Sequence, residues 1–173
     1  MSHRLKEETT QKEGPRGVDP RFDADGRAER TARSRSERDA MLAAMARLER
    51  ALSRAAPERS EAWTEEVAAG LDALREAMRT HVLVADAEDG LLIEILEEEP
   101  RLATQVEALR KDYVELERIA AMMRDELLDE GQPQEAAKAR AALRQLLGEL
   151  RTHQSRESDL IWEAFLVDIG VGD

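Results

Sequence analysis

Apolar residues recur along this chain at spacings of three and four, the mark of helices that bury one face. The spacing predicts a first helix over 36–55, with Met41, Met45, Leu48, Leu52 and Ala55 on one side. Ser36 with Asp39 resembles a capping box carrying Asp in place of Glu, which would start that helix. A second helix is predicted over 60–86 through Trp63, Val67, Leu71, Leu74, Met78, His81 or Val82, and Ala85. Gly90 interrupts it, and a short turn with Leu91, Leu92, Ile95 and Leu96 follows. A third helix is predicted over 100–129 (Leu102, Val106, Leu109, Tyr113, Leu116, Ile119 or Ala120, Met123, Leu127). A fourth is predicted over 134–167 (Leu143, Leu146, Leu150, His153, Glu157, Leu160, Ala164).

Proline marks the boundaries. Pro57, Pro100 and Pro133 fall between these periodic segments and none falls inside one, as expected for a residue tolerated in the first helical turn and disruptive beyond it. Four amphipathic helices with short connections predict an all-α, up-down-up-down antiparallel four-helix bundle over 36–170. Residues 1–35 differ in kind. They are nearly free of apolar side chains and contain Gly14, Pro15, Gly17, Pro20 and Gly26. Such a segment buries too little surface to offset its ordering entropy, so it reads as a disordered polar tail whose Arg-rich end joins the first helix. A solvated tail is the simpler reading; a docking arm for an unknown protein partner is the other.

Composition narrows the class. Of 173 residues none is cysteine, so disulfides, thiolate metal sites and a cysteine nucleophile are excluded. That suits a reducing cytoplasm, the expected location. No apolar run reaches membrane-spanning length and the N-terminus lacks the apolar core of a signal peptide. A net charge of −12 argues against nucleic acid and anionic lipid as partners. No phosphate-binding loop is present, and no serine is paired with a base, so an enzyme is the less favoured reading.

The chemistry sits on the apolar stripes. Arg-Thr-His occurs at Arg79-Thr80-His81 and again at Arg151-Thr152-His153, and the remaining histidine, His3, lies in the tail. His153 and Glu157 are one turn apart on the predicted buried face. His81 follows Met78 on its stripe; Ala85 stands at the i+4 position, and Glu88 at i+7 stays on the same face if the helix continues that far. Tyr113, preceded by Asp112, is the inward position between Leu109 and Leu116. Polar groups on a core stripe need partners, since an unsatisfied buried one costs roughly 1–3 kcal/mol. Two readings follow: a hydrogen-bonded layer that fixes helix register, or a metal site between helices. The methionines are core filler and the run Glu97-Glu98-Glu99 is a solvated helix end.

Several segments resemble the hemerythrin-like, or HHE cation-binding, domain family. They are "LREAMRTH" ending at His81, "GLLIEILEEEPRL", "VEALRKDYVEL", and "LRQLLGELRTHQSRESDLIWEAFLVDIG" with His153 and Glu157 in a His-x-x-x-Glu arrangement. The last stretch is similar to the tail of a bacterial, actinobacterial-type branch. The resemblance implies the four-helix fold and a di-iron centre of about five histidines and two bridging carboxylates. This chain departs from that pattern. Its first predicted helix has no histidine, and Asp112-Tyr113 stands where the family has Glu-His. The expectation is therefore a degenerate metal site. It consists of His81, Glu88, His153 and Glu157, with Tyr113 and Asp112 in the same polar layer, and binds no cofactor or a single divalent metal (Fe, Zn or Mn). The alternative is a metal-free helical module acting through its surface and tail.

Overall fold

The computed structural model describes residues 20–54, 61–129 and 135–166. It is all-helical, with no strand among the described residues. Five helices follow in order: α1 (Pro20–Ser53), α2 (Glu61–Ala85), α3 (Leu91–Glu98), α4 (Ala103–Leu128) and α5 (Ala136–Leu166). A single 3₁₀ turn, Pro100–Leu102, leads into α4 with its proline at the first position. The turns expected at Pro57 and Pro133, and residues 1–19 of the expected tail, lie outside the described residues.

Two boundaries differ from expectation. Helix α1 starts at Pro20, so residues 20–35 are helical and Ser36 lies inside the helix instead of capping it. The reason lies in local chemistry: proline suits the first turn, and the run after it is rich in Arg and Ala, both good helix formers. The segment from Leu91, expected as a short turn, is the helix α3. Its cap is Gly90, where an added Cβ would run into the backbone carbonyls of Val84 and Ala85.

Helix α1 packs on α2, α2 on α4, and α4 on α5; α5 also touches α1, and α3 leans on α2, α4 and α5. The pairs that bridge these contacts run in an orderly series. Where α1 meets α2, Arg54 just past α1 pairs with Glu66 at 2.7 Å, Trp63 Nε1 donates to the Ala51 carbonyl at 3.2 Å, and Arg33 pairs with Asp89 on the turn after α2 at 3.1 Å. Between α2 and α4, Asp72 meets Arg124 at 3.0 Å, Arg75 and Arg79 share Glu117 at 3.1 Å, and Asp86 meets Arg110 at 2.6 Å. Asp112 of α4 meets Arg156 of α5 at 2.7 Å, and Arg101 of the 3₁₀ turn meets Glu163 of α5 at 2.6 Å. Glu49 and Arg151 join α1 to α5.

The buried apolar side chains fall into two clusters. The larger gathers Met41, Leu48, Leu71, Met78, Leu116, Leu146 and Leu150 from α1, α2, α4 and α5. The smaller gathers Ala85, Leu92, Ile95, Val106, Leu109 and Leu160, with α3 replacing α1. Along α2 the break falls between Met78 and Ala85, and along α5 between Leu150 and Leu160.

Glycine substitutions check this packing. Gly148 in α5 has nothing within 4 Å of an added Cβ. Gly148→Ala is expected to stabilise by roughly 0.5–1 kcal/mol through backbone entropy. Gly90→Ala is expected to destabilise, because the carbonyls of α2 must give way. Urea unfolding of the two variants measures both signs.

Candidate functional site

The break between the apolar clusters is where the polar side chains meet. On α5, Leu150, His153, Glu157 and Leu160 follow one another on the buried face; His153 is 4 % exposed and Glu157 is 8 % exposed. On α4 the same three-and-four spacing buries Tyr113 between Leu109 and Leu116. On α2, His81 continues the stripe of Leu74 and Met78 at the half-buried edge of the layer. Helix α1 adds Glu37, one turn before Met41 and 9 % exposed.

His81 is the centre of the group. Its Nε2 lies 3.2 Å from Glu157 Oε1, and its Nδ1 lies 4.0 Å from Glu37 Oε2. The imidazole thus stands between two carboxylates. Its ring stacks on Tyr113 with centroids 5.3 Å apart and planes 24° apart. Tyr113 in turn meets His153 edge-on at 4.8 Å and 71°. Three buried atoms in this layer have no hydrogen-bond partner: Glu37 Oε1, Tyr113 Oη and His153 Nδ1. A small cavity of about 30 Å³ is lined by Glu37, His81, Tyr113, His153 and Glu157. That is room for one or two water-sized occupants.

The electrostatics follow from burial and pairing. Burial disfavours the His81 imidazolium, but the hydrogen bond and charge of Glu157 and the charge of Glu37 outweigh it, so its pKa is raised. Burial likewise opposes the Glu157 carboxylate, yet the hydrogen bond and charge of His81 hold its pKa below the ordinary range. Burial raises Glu37 despite the charges of His81 and Arg33. Burial lowers the His153 pKa, and burial with the charges of Glu157 and Glu37 raises that of the Tyr113 phenol. Of the two imidazoles, His81 therefore holds its proton more tightly than His153, and it does so beside the Glu157 carboxylate.

Of the residues singled out from sequence, the structure brings His81, Tyr113, His153 and Glu157 together. It does not bring Glu88, because α2 ends at Ala85 and Glu88 is exposed on the turn that follows. Nor does it bring Asp112, which faces outward to Arg156. Glu37 escaped sequence reasoning. The signal was its i+4 relation to Met41, hidden by reading Ser36 as a helix cap. No group of three or more His, Asp or Glu among the described residues is placed to hold a metal ion. Two ions fit still less well, since the whole layer offers two imidazoles, two carboxylates and a phenol to share between them.

No protein-family model, curated protein or solved structure matches the chain.

The polar layer makes a pH prediction. A raised His81 pKa contributes stability that is fully present below the ordinary imidazole value of 6.5 and is lost as pH rises through the folded value. The lowered Glu157 pKa contributes stability present above 4.5 and lost as pH falls through its folded value. The stability gap between the native chain and His81→Gln is therefore expected to be widest between these limits. It should shrink on moving from about pH 6 to about pH 9, as read by denaturant unfolding in chelator. Glu157→Ala, which strands His81, is expected to cost roughly 1–3 kcal/mol at about pH 6; a gap that widens with pH instead would refute the clamp.

Proposed function

We propose that this chain is a hemerythrin-like protein, an up-down-up-down antiparallel four-helix bundle with a degenerate metal site that binds at most one divalent ion, weakly. The observation that carries it is the His81 clamp. Both nitrogens of the imidazole face carboxylates, so a proton supplies the positive charge that a metal would otherwise bring to the layer. The antiparallel arrangement is supported by the bridging pairs: between each packed couple of helices, later residues of one meet earlier residues of the other.

A single ion would draw on Glu37, His81, His153 and Glu157, with Tyr113 beside them, and these side chains would have to shift, since they do not stand as a ready ligand group. Supporting this are the unpartnered Glu37 Oε1 and His153 Nδ1 on one small cavity. Binding would have to displace the His81 proton and loosen the clamp, which is why it is weak. Fe²⁺, Zn²⁺ and Mn²⁺ all accept such nitrogen and oxygen donors. The second reading is a metal-free interaction or regulatory module acting through its surface and N-terminal tail; the described residues hold no ready ligand group.

Elemental analysis of protein purified without a His tag decides between them. The expected result is fewer than two metal ions per chain, with any single ion lost in His153→Ala. Two irons per chain with an oxo-bridge absorption band would overturn the degenerate-site reading. No ion, with thermal stability unchanged by chelator, would put the metal-free module ahead.

A further inference from the structure

Beside the polar layer, α1, α2, α3 and α5 enclose a surface recess of about 270 Å³. Its apolar wall is made by Val84 of α2, Leu91 of α3 and Ile161 of α5, all half-buried. Helix α1 lines it with Arg33, Arg35 and Arg38. Arg33 is held by Asp89 at 3.1 Å. Arg35 and Arg38 are not held: among the described residues no carboxylate pairs with either. In three other recesses the bordering arginine is taken, Arg110 by Asp86, Arg118 by Glu115 and Arg156 by Asp112. The chain carries 38 Asp and Glu against 26 Lys and Arg, so two uncommitted guanidinium groups at one recess put positive charge where the molecule as a whole is negative. Apolar walls with a few polar groups to fix orientation are the general form of a small-molecule site.

We propose that this recess binds a small organic monocarboxylate, with its carboxylate at Arg35 and Arg38 and its apolar body against Val84, Leu91 and Ile161. Arg35 and Arg38 are three residues apart, so they share one side of α1 and can reach the same carboxylate. The planar fork of a guanidinium matches that group in geometry as well as charge. Cations are repelled by the same two side chains. Asp89 and Glu94 also border the recess and oppose an anion of higher charge, such as phosphate. An exposed ion pair is weak by itself and screened by salt, so affinity requires the apolar wall too, which an inorganic ion cannot use. Size agrees: the recess exceeds the cavity of about 150 Å³ that holds benzene, which leaves room for a ring and its carboxylate. The site requires no metal and does not rest on the degenerate-site reading.

The test uses the full chain in chelator at low salt, followed by amide chemical shifts. Benzoate is the probe, benzamide its uncharged counterpart and inorganic phosphate the anion without an apolar body. Benzoate is expected to shift Val84, Leu91 and Ile161 saturably, with a Kd on the order of 1 mM, and both controls to bind more weakly by roughly five-fold or more. Replacing both arginines, Arg35→Gln with Arg38→Gln, is expected to weaken benzoate by roughly five- to ten-fold and leave benzamide unchanged. Both positions are exposed, so the bundle keeps its fold. Glu94→Gln, which removes an opposing charge, is expected to tighten benzoate by about two-fold. Ile161→Ala is expected to weaken it by roughly two- to five-fold; if that variant does not fold, Val84→Ala reads the same wall. Shifts that do not saturate or that fall outside the recess would overturn the site. Equal benzoate affinity without the two arginines would overturn the carboxylate assignment, and phosphate binding as tightly as benzoate would overturn the role of the apolar wall. Because chelator is present throughout, these outcomes are independent of whether a metal binds.

Discussion

The ion pair between His81 and Glu157 is the interaction on which the rest of this structure depends. It sits where the larger apolar cluster stops and the smaller one begins, so the core is two hydrophobic bodies joined through a polar layer. Burying two charges is costly, and their mutual attraction repays it only with good geometry and further partners. Here the geometry is a near contact of 3.2 Å with a second carboxylate, Glu37, on the far side of the ring. The pair adds little net stability over a well-packed apolar layer, but removing one member leaves the other buried and uncompensated. Its contribution is to register. A helix slid by one turn would set His81 or Glu157 against leucine.

The surface pairs act with the layer. Arg33–Asp89, Arg110–Asp86, Arg101–Glu163 and Arg156–Asp112 each join two elements across their seam, and all are partly exposed. Individually such pairs contribute about 0–1 kcal/mol and are screened by salt. A core so rich in leucine and alanine specifies helix order poorly by shape alone. Charge pattern and polar layer together exclude the alternatives that shape leaves open. The chain has a net charge of −12, so its Arg residues are the scarcer partner. Glu117 recruits two of them, Arg75 and Arg79.

Much of this was legible in the residues. The stripes of α2, α4 and α5 follow from three-and-four spacing, and His153, Glu157 and Tyr113 could be placed on buried faces because their helices run on uninterrupted past them. Two local misreadings had larger consequences. Taking Ser36 as a cap put Glu37 outside the helix interior, so the carboxylate that α1 brings to the layer went unnoticed, although Pro20 was the better start signal. Carrying the α2 face on to Glu88 ignored the stop that Gly90 imposes. The unpartnered atoms and the 30 Å³ cavity were beyond sequence reasoning. They depend on interhelical spacing and on which way each side chain turns, and spacing along one helix carries neither.

The resemblance to a metal-binding family and the observed layer can be reconciled through charge. A bundle that brings carboxylates into its interior must bring positive charge with them, since an uncompensated buried carboxylate is expensive. Metal ions are one source of that charge and protons are another. With several histidines the nitrogen lone pairs favour metal, because each ligand is neutral and the ion carries the whole positive charge. With two histidines, one of them between Glu37 and Glu157, a proton on His81 answers Glu157 directly, and burial raises the pKa of Glu37. Losing ligands therefore need not collapse such a site. Here a single histidine stands between two acids, and its proton is positive charge of the kind an ion would bring.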